Sequence, residues 1–138
     1  MFPKKPFVLA VARERDDWFQ DLKAVLRKQR VEICCAKSCE QAARLLDQTH
    51  PEVVFTARLL KDGTWRDMIR LAENVSVPAS VVVVAENRDI QLSISAMDYG
   101  AFDCILPPFE EDAVAQVFQT ACESVRRKRM SQAKLAVA

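Results

Sequence analysis

The sequence predicts an α/β fold in which one parallel sheet of five strands lies between two layers of helices. Short apolar runs of strand length alternate five times with segments whose apolar residues recur at helical spacing. No repeat or internal linker interrupts this alternation. The chain has 138 residues, half of them apolar, which is enough for one domain with a buried core. Because right-handed crossovers join successive parallel strands, we expect helices on both faces of the sheet.

The first half of the chain contains three predicted strands. Phe7 to Val11 is a continuous apolar run, which is the pattern of a strand covered on both faces. Val31 to Ala36 and Val53 to Ala57 are the second and third runs. A Ser-x-x-Gln pattern at Ser38 to Gln41 predicts a capped second helix. The first helix is predicted from an apolar stripe of Trp18, Phe19, Leu22, Val25 and Leu26.

The third helix, the fourth strand and the fourth helix follow. Thr64 is the predicted N-cap of the third helix. The run Ser80 to Ala85 contains four consecutive valines and predicts a strand. The spacing of Ile90, Ile94 and Met97 predicts the fourth helix.

The last strand and helix complete the alternation. Phe102 to Leu106 is the fifth predicted strand, and two prolines end it. The final helix is predicted from about Glu110 to beyond Val125. We divide the chain into a domain over residues 1–126 and a basic helical extension or tail over residues 127–138. Its cations either suit the negative pole of the helix or form a partner-binding tail. The candidate partner-binding cations, which begin one residue before this extension, are Arg126, Arg127, Lys128 and Arg129.

Composition excludes several function classes. Lys and Arg total 20 against 19 for Asp and Glu, so the net charge of +1 favours neither nucleic acid nor a membrane surface. No apolar run approaches the roughly 20 residues of a membrane span, and the N-terminal residues lack the apolar core of a signal peptide. We therefore predict a cytoplasmic protein. Its five cysteines, an odd number without a CxxC pair, are predicted to be free thiols.

The strand ends lack the residues of the common catalytic sites. Gly63 and Gly100 are the only glycines, which excludes the glycine-rich phosphate-binding loops. His50, the only histidine, precedes the third strand and is expected at the opposite edge of the sheet. Hydroxyl and thiol groups near the strand ends therefore have no histidine base. We predict no cofactor and no metal ion.

Three segments carry a resemblance to a known family. Pro51 to Ala57 is followed by Lys61-Asp62-Gly63, Ala96 to Asp103 reads Ala-Met-Asp-Tyr-Gly-Ala-Phe-Asp, and Pro108-Phe109 precedes the last helix. Together they resemble the receiver domain of bacterial response regulators, over roughly Pro6 to Arg126. The resemblance implies the flavodoxin-like (βα)5 three-layer sandwich with strand order 2-1-3-4-5.

The resemblance also implies a phosphorylation pocket, and this chain departs from it at every position. Receivers accept a phosphoryl group on an aspartate at the end of strand three, and acids after strand one hold Mg²⁺. A Ser or Thr after strand four and a Lys after strand five complete the pocket. The equivalents here are Ala12 and Arg13 for the acids, Ala57 for the phosphoacceptor, Ala85 for the hydroxyl, Pro107 for the lysine and Cys104 for the aromatic switch residue.

We interpret the chain as a pseudo-receiver, in which the fold is kept and the pocket is lost. Three acids and one lysine give the family's pocket a charge of −2, whereas Ala12, Arg13, Ala57 and Pro107 give +1. We therefore expect a divalent cation to be repelled. As a further hypothesis, Arg13 fills the cation site and pairs with Glu14 or Glu86.

The resemblance suggests a partner surface as well. In receivers the surface of helix four, strand five and helix five contacts a histidine kinase, an output domain or another receiver. We expect a protein partner there, including a second copy of the chain. Nucleic acid is not an expected partner of this domain alone, and binding of nucleic acid by the basic tail is a subsidiary alternative.

Two alternatives remain. The first is a switch triggered by phosphorylation of Thr56 or Thr64 or by oxidation of a cysteine. The second is an enzyme on the same fold that uses Glu14, Asp62 or Glu86 as an acid or base.

Overall fold

A parallel sheet of five strands forms the centre of the molecule, in the order β2-β1-β3-β4-β5. The computed structural model describes the backbone of residues 5–137 and the side chains of residues 5–133. The absence of a signal peptide was predicted from the N-terminal residues, and the first four of these lie outside the described part of the chain. The predicted fold class and strand order are confirmed. The strands are β1 Phe7–Val11, β2 Glu32–Ala36, β3 Val53–Ala57, β4 Ser80–Val84 and β5 Asp103–Ile105.

Five helices connect and cover the strands. Helix α1 contacts α5, and α3 contacts both α2 and α4, as expected of two helical layers. None of the described helices combines the length and apolar character needed to cross a membrane. The helices are α1 Trp18–Arg27, α2 Cys39–Thr49, α3 Trp65–Asn74, α4 Ile90–Tyr99 and α5 Glu111–Val137.

A short antiparallel hairpin between β3 and α3 was not predicted. Leu59–Leu60 pairs with Gly63–Thr64, and the Trp65 amide donates to the Arg58 carbonyl. Two residues per strand are too few to show an alternating pattern in the sequence. The hairpin brings Lys61 and Asp62 to the edge of the sheet where the strands end.

The N-terminus of α2 is capped by two side chains. Ser38 Oγ accepts from the Gln41 amide at 3.1 Å, as the sequence pattern predicts. The Gln41 side chain accepts from the Lys37 amide instead of the Ser38 amide, so the reciprocal half of the capping box is displaced by one residue. Asp62, from the hairpin, accepts from the amides of Cys39 at 2.7 Å and Glu40 at 3.0 Å. The loop after β3 is thereby fixed to α2.

Helix α4 forms where it was predicted, but its apolar stripe faces solvent. The side chains of Ile90, Ile94 and Met97 are 73%, 51% and 49% exposed. Leu92 and Ala96 are the buried residues of this helix. The helix therefore packs on the molecule through its smaller apolar face, and the spacing that predicts the helix marks its outer side.

Helix α5 continues without a break through residue 126. Its buried face includes Val114, Phe118, Ala121 and Val125. The division of the chain at residue 126 stays a prediction, and it falls inside a continuous helix. Residue 138 and the side chains of residues 134–137 lie outside the described part of this segment.

Candidate functional site

Three alanines occupy the strand ends where the family pattern has functional side chains. Ala57 is the last residue of β3, and Ala12 and Ala85 directly follow β1 and β4. They are only 2–3% exposed. The backbone continues the sheet contacts here, since the Ala12 amide donates to the Ala36 carbonyl and the Ala85 amide to the Ile105 carbonyl. Because a methyl group has neither an attacking atom nor a metal ligand, these positions carry no phosphoryl chemistry.

Arg13 is held by Asp16, a residue that the sequence analysis did not single out. The Arg13 amide donates to Asp16 Oδ2 at 2.6 Å, and Arg13 Nη2 lies 3.1 Å from Asp16 Oδ1. The Asp16 side chain is only 2% exposed, so it is a buried carboxylate with an arginine partner. Aspartate is common in turns because its side chain accepts from nearby backbone amides, here the amide three residues earlier. The presence of Asp16 shortly after β1 is therefore the feature of the sequence that indicates this contact.

Arg13 also links the loops that follow β1 and β4. Its Nη2 lies 3.3 Å from Glu86 Oε1, in a pair whose glutamate side chain is 62% exposed. The hydrogen bond to Asp16 raises the pKa of Arg13, and the charges of Asp16 and Glu86 raise it further, against the opposing effect of burial. The guanidinium group therefore stays charged and bridges two loops at this edge.

The ion pair between Arg13 and Glu14 that was considered alongside this one does not form. Glu14 Oε1 lies 2.8 Å from Lys37 Nζ, after β2. The hydrogen bond from Lys37 lowers the pKa of Glu14. Glu14 is 80% exposed, whereas Arg13 turns back toward buried Asp16, so the two consecutive side chains reach different partners.

The sequence-based charge argument was incomplete. It counted +1 over four positions and omitted Asp16 and Glu86, whose carboxylates lie within 3.3 Å of Arg13. Arg13 and these two acids together carry −1, so net repulsion does not by itself exclude a divalent cation. The geometry gives a better argument, because the Arg13 guanidinium already contacts the carboxylate oxygens. Among the described residues, no three His, Cys, Asp or Glu side chains are grouped to hold a metal ion.

The two remaining family-equivalent positions also differ chemically from the family pattern. Pro107 has no side-chain amine, and it lines a cleft of about 510 Å³ next to Arg13, Asp16, Trp18 and Glu86. Cys104 is half-buried in β5, and burial raises the pKa of its thiol. Neither side chain provides the cation or the aromatic ring that the resemblance implies.

The residues of the two alternative hypotheses are engaged in structural contacts. Thr56 is 0% exposed, and its hydroxyl donates to the Ala57 carbonyl at 3.1 Å. Thr64 Oγ1 accepts from the Arg66 amide as the N-cap of α3. Asp62 accepts hydrogen bonds from the backbone amides of Cys39 and Glu40 at the start of α2, and these hydrogen bonds lower its pKa. The three proposed acid or base residues thus have separate partners: Lys37 for Glu14, the α2 N-terminus for Asp62 and Arg13 for Glu86.

Four of the five cysteines are poor candidates for oxidation. Burial is the main cause that raises the pKa of Cys39 to about 12 and that of Cys122 to about 11. Burial also raises the pKa of Cys34 and Cys104. Because the thiolate is the reactive form, these thiols react slowly at neutral pH. Cys35 is the exposed cysteine.

Two residues of the predicted partner-binding tail are engaged with the body of the molecule. Arg129 Nε donates to the Pro78 carbonyl at 2.9 Å, and Nη2 donates to the carbonyls of His50 at 3.1 Å and Pro51 at 2.8 Å. Arg126 Nη2 lies 3.5 Å from Glu52 Oε2. Helix α5 brings these two residues to the loops that precede β3 and β4, and the partner-binding role of the tail stays a prediction. Arg127 and Lys128 are exposed.

Comparison with known proteins supports the fold. No family model matches the chain. The chain is similar to the sensory transduction protein LytT of Bacillus cereus, with 29% identity over 101 residues. This match covers 72% of the chain but only 40% of that protein, so the chain spans less than half the length of this relative.

Solved structures give the same result over nearly the whole chain. The signal receiver domain of an HD domain-containing protein from Pseudomonas fluorescens matches with a TM-score of 0.80 and 17% identity, over 94% of this chain and 96% of that one. A response regulator receiver domain protein from Clostridium thermocellum matches with a TM-score of 0.74 and 20% identity, over 89% and 97%. The chain therefore has the receiver-domain fold, and the resemblance noted in its sequence is confirmed at the level of the fold.

Proposed function

We propose that this chain is an atypical receiver domain of bacterial two-component signal transduction that acts as a phosphorylation-independent protein-interaction module. The main observation behind this proposal is that three buried alanines lie at the strand ends where a receiver needs an acid, a phosphoacceptor and a hydroxyl. They are Ala12, Ala57 and Ala85. The surrounding framework of strands and helices is intact. The proposal includes no catalytic role and no cofactor, and we propose a cytoplasmic location.

The contacts of Arg13 support the proposal that the domain stays in one conformation and does not switch. In a switchable pocket the loops rearrange when a phosphoryl group arrives, and the new charge drives the change. Here Arg13 permanently carries a charge at this edge and contacts both Asp16 and Glu86. The loops after β1 and β4 are thus linked without any added group.

The outer face of α4 is the proposed contact surface for a protein partner. Ile90, Ile94 and Met97 are large apolar side chains about half or more exposed, and they lie on one side of the helix. Leu106, which follows β5, is 38% exposed. Apolar residues grouped in this way are typical anchors of a protein interface. The partner would be a histidine kinase, an output domain, another receiver or a second copy of this chain.

Phosphoryl transfer is tested directly by incubating the chain with acetyl phosphate and Mg²⁺ and measuring its intact mass. We expect no added phosphoryl group. A receiver with an aspartate at the phosphoacceptor position, treated in parallel, is the positive control. A phosphoryl group on this chain under the same conditions would overturn the proposed loss of the pocket.

The partner surface is tested with two variants that add the same charge at different places. Ile94→Asp lies on the outer face of α4, and Gln48→Asp lies on an exposed position of α2. Both should keep the wild-type melting temperature, because neither residue is buried. We expect a partner that co-purifies with the wild type and with Gln48→Asp in the native host to be lost from Ile94→Asp. Equal recovery with both variants would contradict this surface.

A further inference from the structure

A second cavity lies beside Arg13 at the strand-end edge. It has a volume of about 500 Å³ and lies among the loops that follow β1, β2 and β3. Arg13 lines both this cavity and the cleft beside Pro107, but Ala12, Ala57, Ala85 and Pro107 do not line the cavity. The lining residues are Arg13, Glu14, Arg15, Lys37 and Lys61.

Two of its four cations have no partner within the described residues. Arg13 contacts carboxylates that line the neighbouring cleft, and Lys37 pairs with Glu14. Arg15 and Lys61 form neither an ion pair nor a side-chain hydrogen bond among residues 5–133. Four cations and one acid give the lining a charge of +3, and Arg15 also lines the neighbouring cleft with Asp16, Asp17, Asp21 and Glu86.

The neighbouring acid does not neutralise this cluster by contact. Asp62 is adjacent to Lys61 in the chain, but both of its oxygens accept from the α2 backbone. The pair of Glu14 and Lys37 is exposed, with side-chain exposures of 80% and 66%, and such pairs contribute little. Lys37 can therefore turn to a stronger anion at low cost.

The residue types and the volume together indicate one class of ligand. Arginine offers a planar fork of donors and lysine a compact charge, and both bind phosphate oxygens well. Small-molecule sites have volumes of roughly 300–1,000 Å³, and this cavity lies within that range. A nucleic-acid strand needs an extended basic groove, whereas these cations are confined to three neighbouring loops.

We propose that this cavity binds a small phosphate-bearing molecule through Arg15 and Lys61, with Lys37 as a third ligand. The molecule is bound and no group is transferred. The proposal goes beyond the partner-binding function and does not depend on it, because neither the α4 surface nor the buried alanines contribute to the cavity.

The test is a titration of the full chain with inorganic phosphate and with phosphoserine, followed by amide NMR at constant ionic strength. We expect saturable shifts of the Arg15, Lys37 and Lys61 amides. The double variant Arg15→Gln/Lys61→Gln should bind roughly tenfold or more weakly. The matched control Arg127→Gln/Lys128→Gln removes two exposed cations from α5 and should bind like the wild type.

Three results would overturn the proposal. Equal losses in the two double variants would indicate a general effect of charge. Shifts that do not saturate, or that also appear with chloride, would indicate nonspecific screening. Tighter binding of a short acidic peptide than of phosphoserine would assign the site to a protein segment. None of these results bears on the acetyl phosphate experiment, so the two proposals fail separately.

Discussion

Arg13 decides much of the chemistry at the strand ends. Its guanidinium group contacts Asp16, which is buried, and Glu86, which is exposed. A buried carboxylate without a partner is costly, so Arg13 stabilises Asp16 as well as linking two loops. The position that the receiver pattern gives to a metal-binding acid thus carries a fixed cation.

We predict that Arg13→Ala destabilises the fold, whereas Arg15→Ala does not. Loss of the Arg13 side chain removes the charged partner of Asp16 and leaves the Arg13 amide as its remaining contact, which should cost about 1–3 kcal/mol. Arg15 is exposed, and its loss should change the free energy of unfolding by less than about 0.5 kcal/mol. Urea unfolding of both variants measures this difference. Equal effects would show that the Asp16 contact contributes little.

The sequence predicted part of this arrangement. The position of Arg13 at the end of β1 follows from the apolar run before it, and Glu86 follows the end of β4 in the same way. Asp16 was missed, and Glu14 and Glu86 were left as alternative partners of Arg13, because the turn after β1 determines which side chains face inward. That turn depends on hydrogen bonds that a pattern of residue types does not specify.

The cysteines provide a second prediction at the residue scale. In the folded chain at neutral pH, iodoacetamide should modify Cys35 first, because it is exposed. Cys39 and Cys122 should react far more slowly, since burial places the pKa of each thiol at about 12 and about 11. Mass spectrometry of digested protein reports the modified residues, and unfolding in urea should make all five reactive. Fast labelling of Cys39 in the native state would contradict this account and favour a redox switch.

At the scale of the elements, Asp62 connects the hairpin after β3 to α2. Its carboxylate accepts from two amides at the helix N-terminus, where negative charge is favoured. These hydrogen bonds hold the folded-state pKa of Asp62 below its ordinary value of 3.8. The stabilisation is therefore complete above pH 3.8 and is lost as the pH falls through the lower folded-state value.

We predict that Asp62→Asn removes this pH-dependent contribution. The difference in free energy of unfolding between the wild type and the variant should be largest at neutral pH and should shrink as the pH falls below 3.8. Asp47→Asn, at an exposed position of α2, is the matched control and should follow the wild-type curve. A constant difference between Asp62→Asn and the wild type at all pH values would contradict the assignment.

The C-terminal half of α5 is attached by Arg129 to the loops that precede β3 and β4. We predict that Arg129→Gln lowers the free energy of unfolding by about 1–3 kcal/mol, because three backbone carbonyls lose a charged donor. Amides beyond residue 129 should then exchange with solvent faster. Arg127→Gln, a neighbouring exposed position, should leave both measurements unchanged. Unchanged hydrogen exchange in Arg129→Gln would mean that other contacts hold the helix.

The elements were largely predictable because each strand and helix carries an apolar pattern over most of its length. All five strands and five helices lie where periodicity and caps predict them. The hairpin at residues 59–64 was missed because it is too short to have a period. The orientation of α4 was also not predictable, since the spacing of Ile90, Ile94 and Met97 specifies a helical face but not its surroundings.

At the scale of the whole molecule, the strand-end edge is divided between opposite charges. The cleft beside Pro107 is lined by four acids, Asp16, Asp17, Asp21 and Glu86, and by two arginines, whereas four of the five residues that line the neighbouring cavity are cations. The overall charge of +1 does not indicate this uneven distribution of charge. It arises because the topology brings together loops that are far apart in the chain, so composition alone does not reveal it.

The central claim is that the receiver fold persists here without a phosphoryl pocket, and the amide NMR spectrum of the isotope-labelled chain tests it most directly. Spectra are recorded before and after addition of Mg²⁺, and again after addition of acetyl phosphate. We predict a well-dispersed spectrum in which the Ala12, Ala57 and Ala85 amides do not move. Shifts confined to the cavity of Arg15, Lys37 and Lys61 would report anion binding alone. Saturable shifts at the three alanines, spreading to α4, would contradict the account, because they would show a pocket that still binds its ligands and switches.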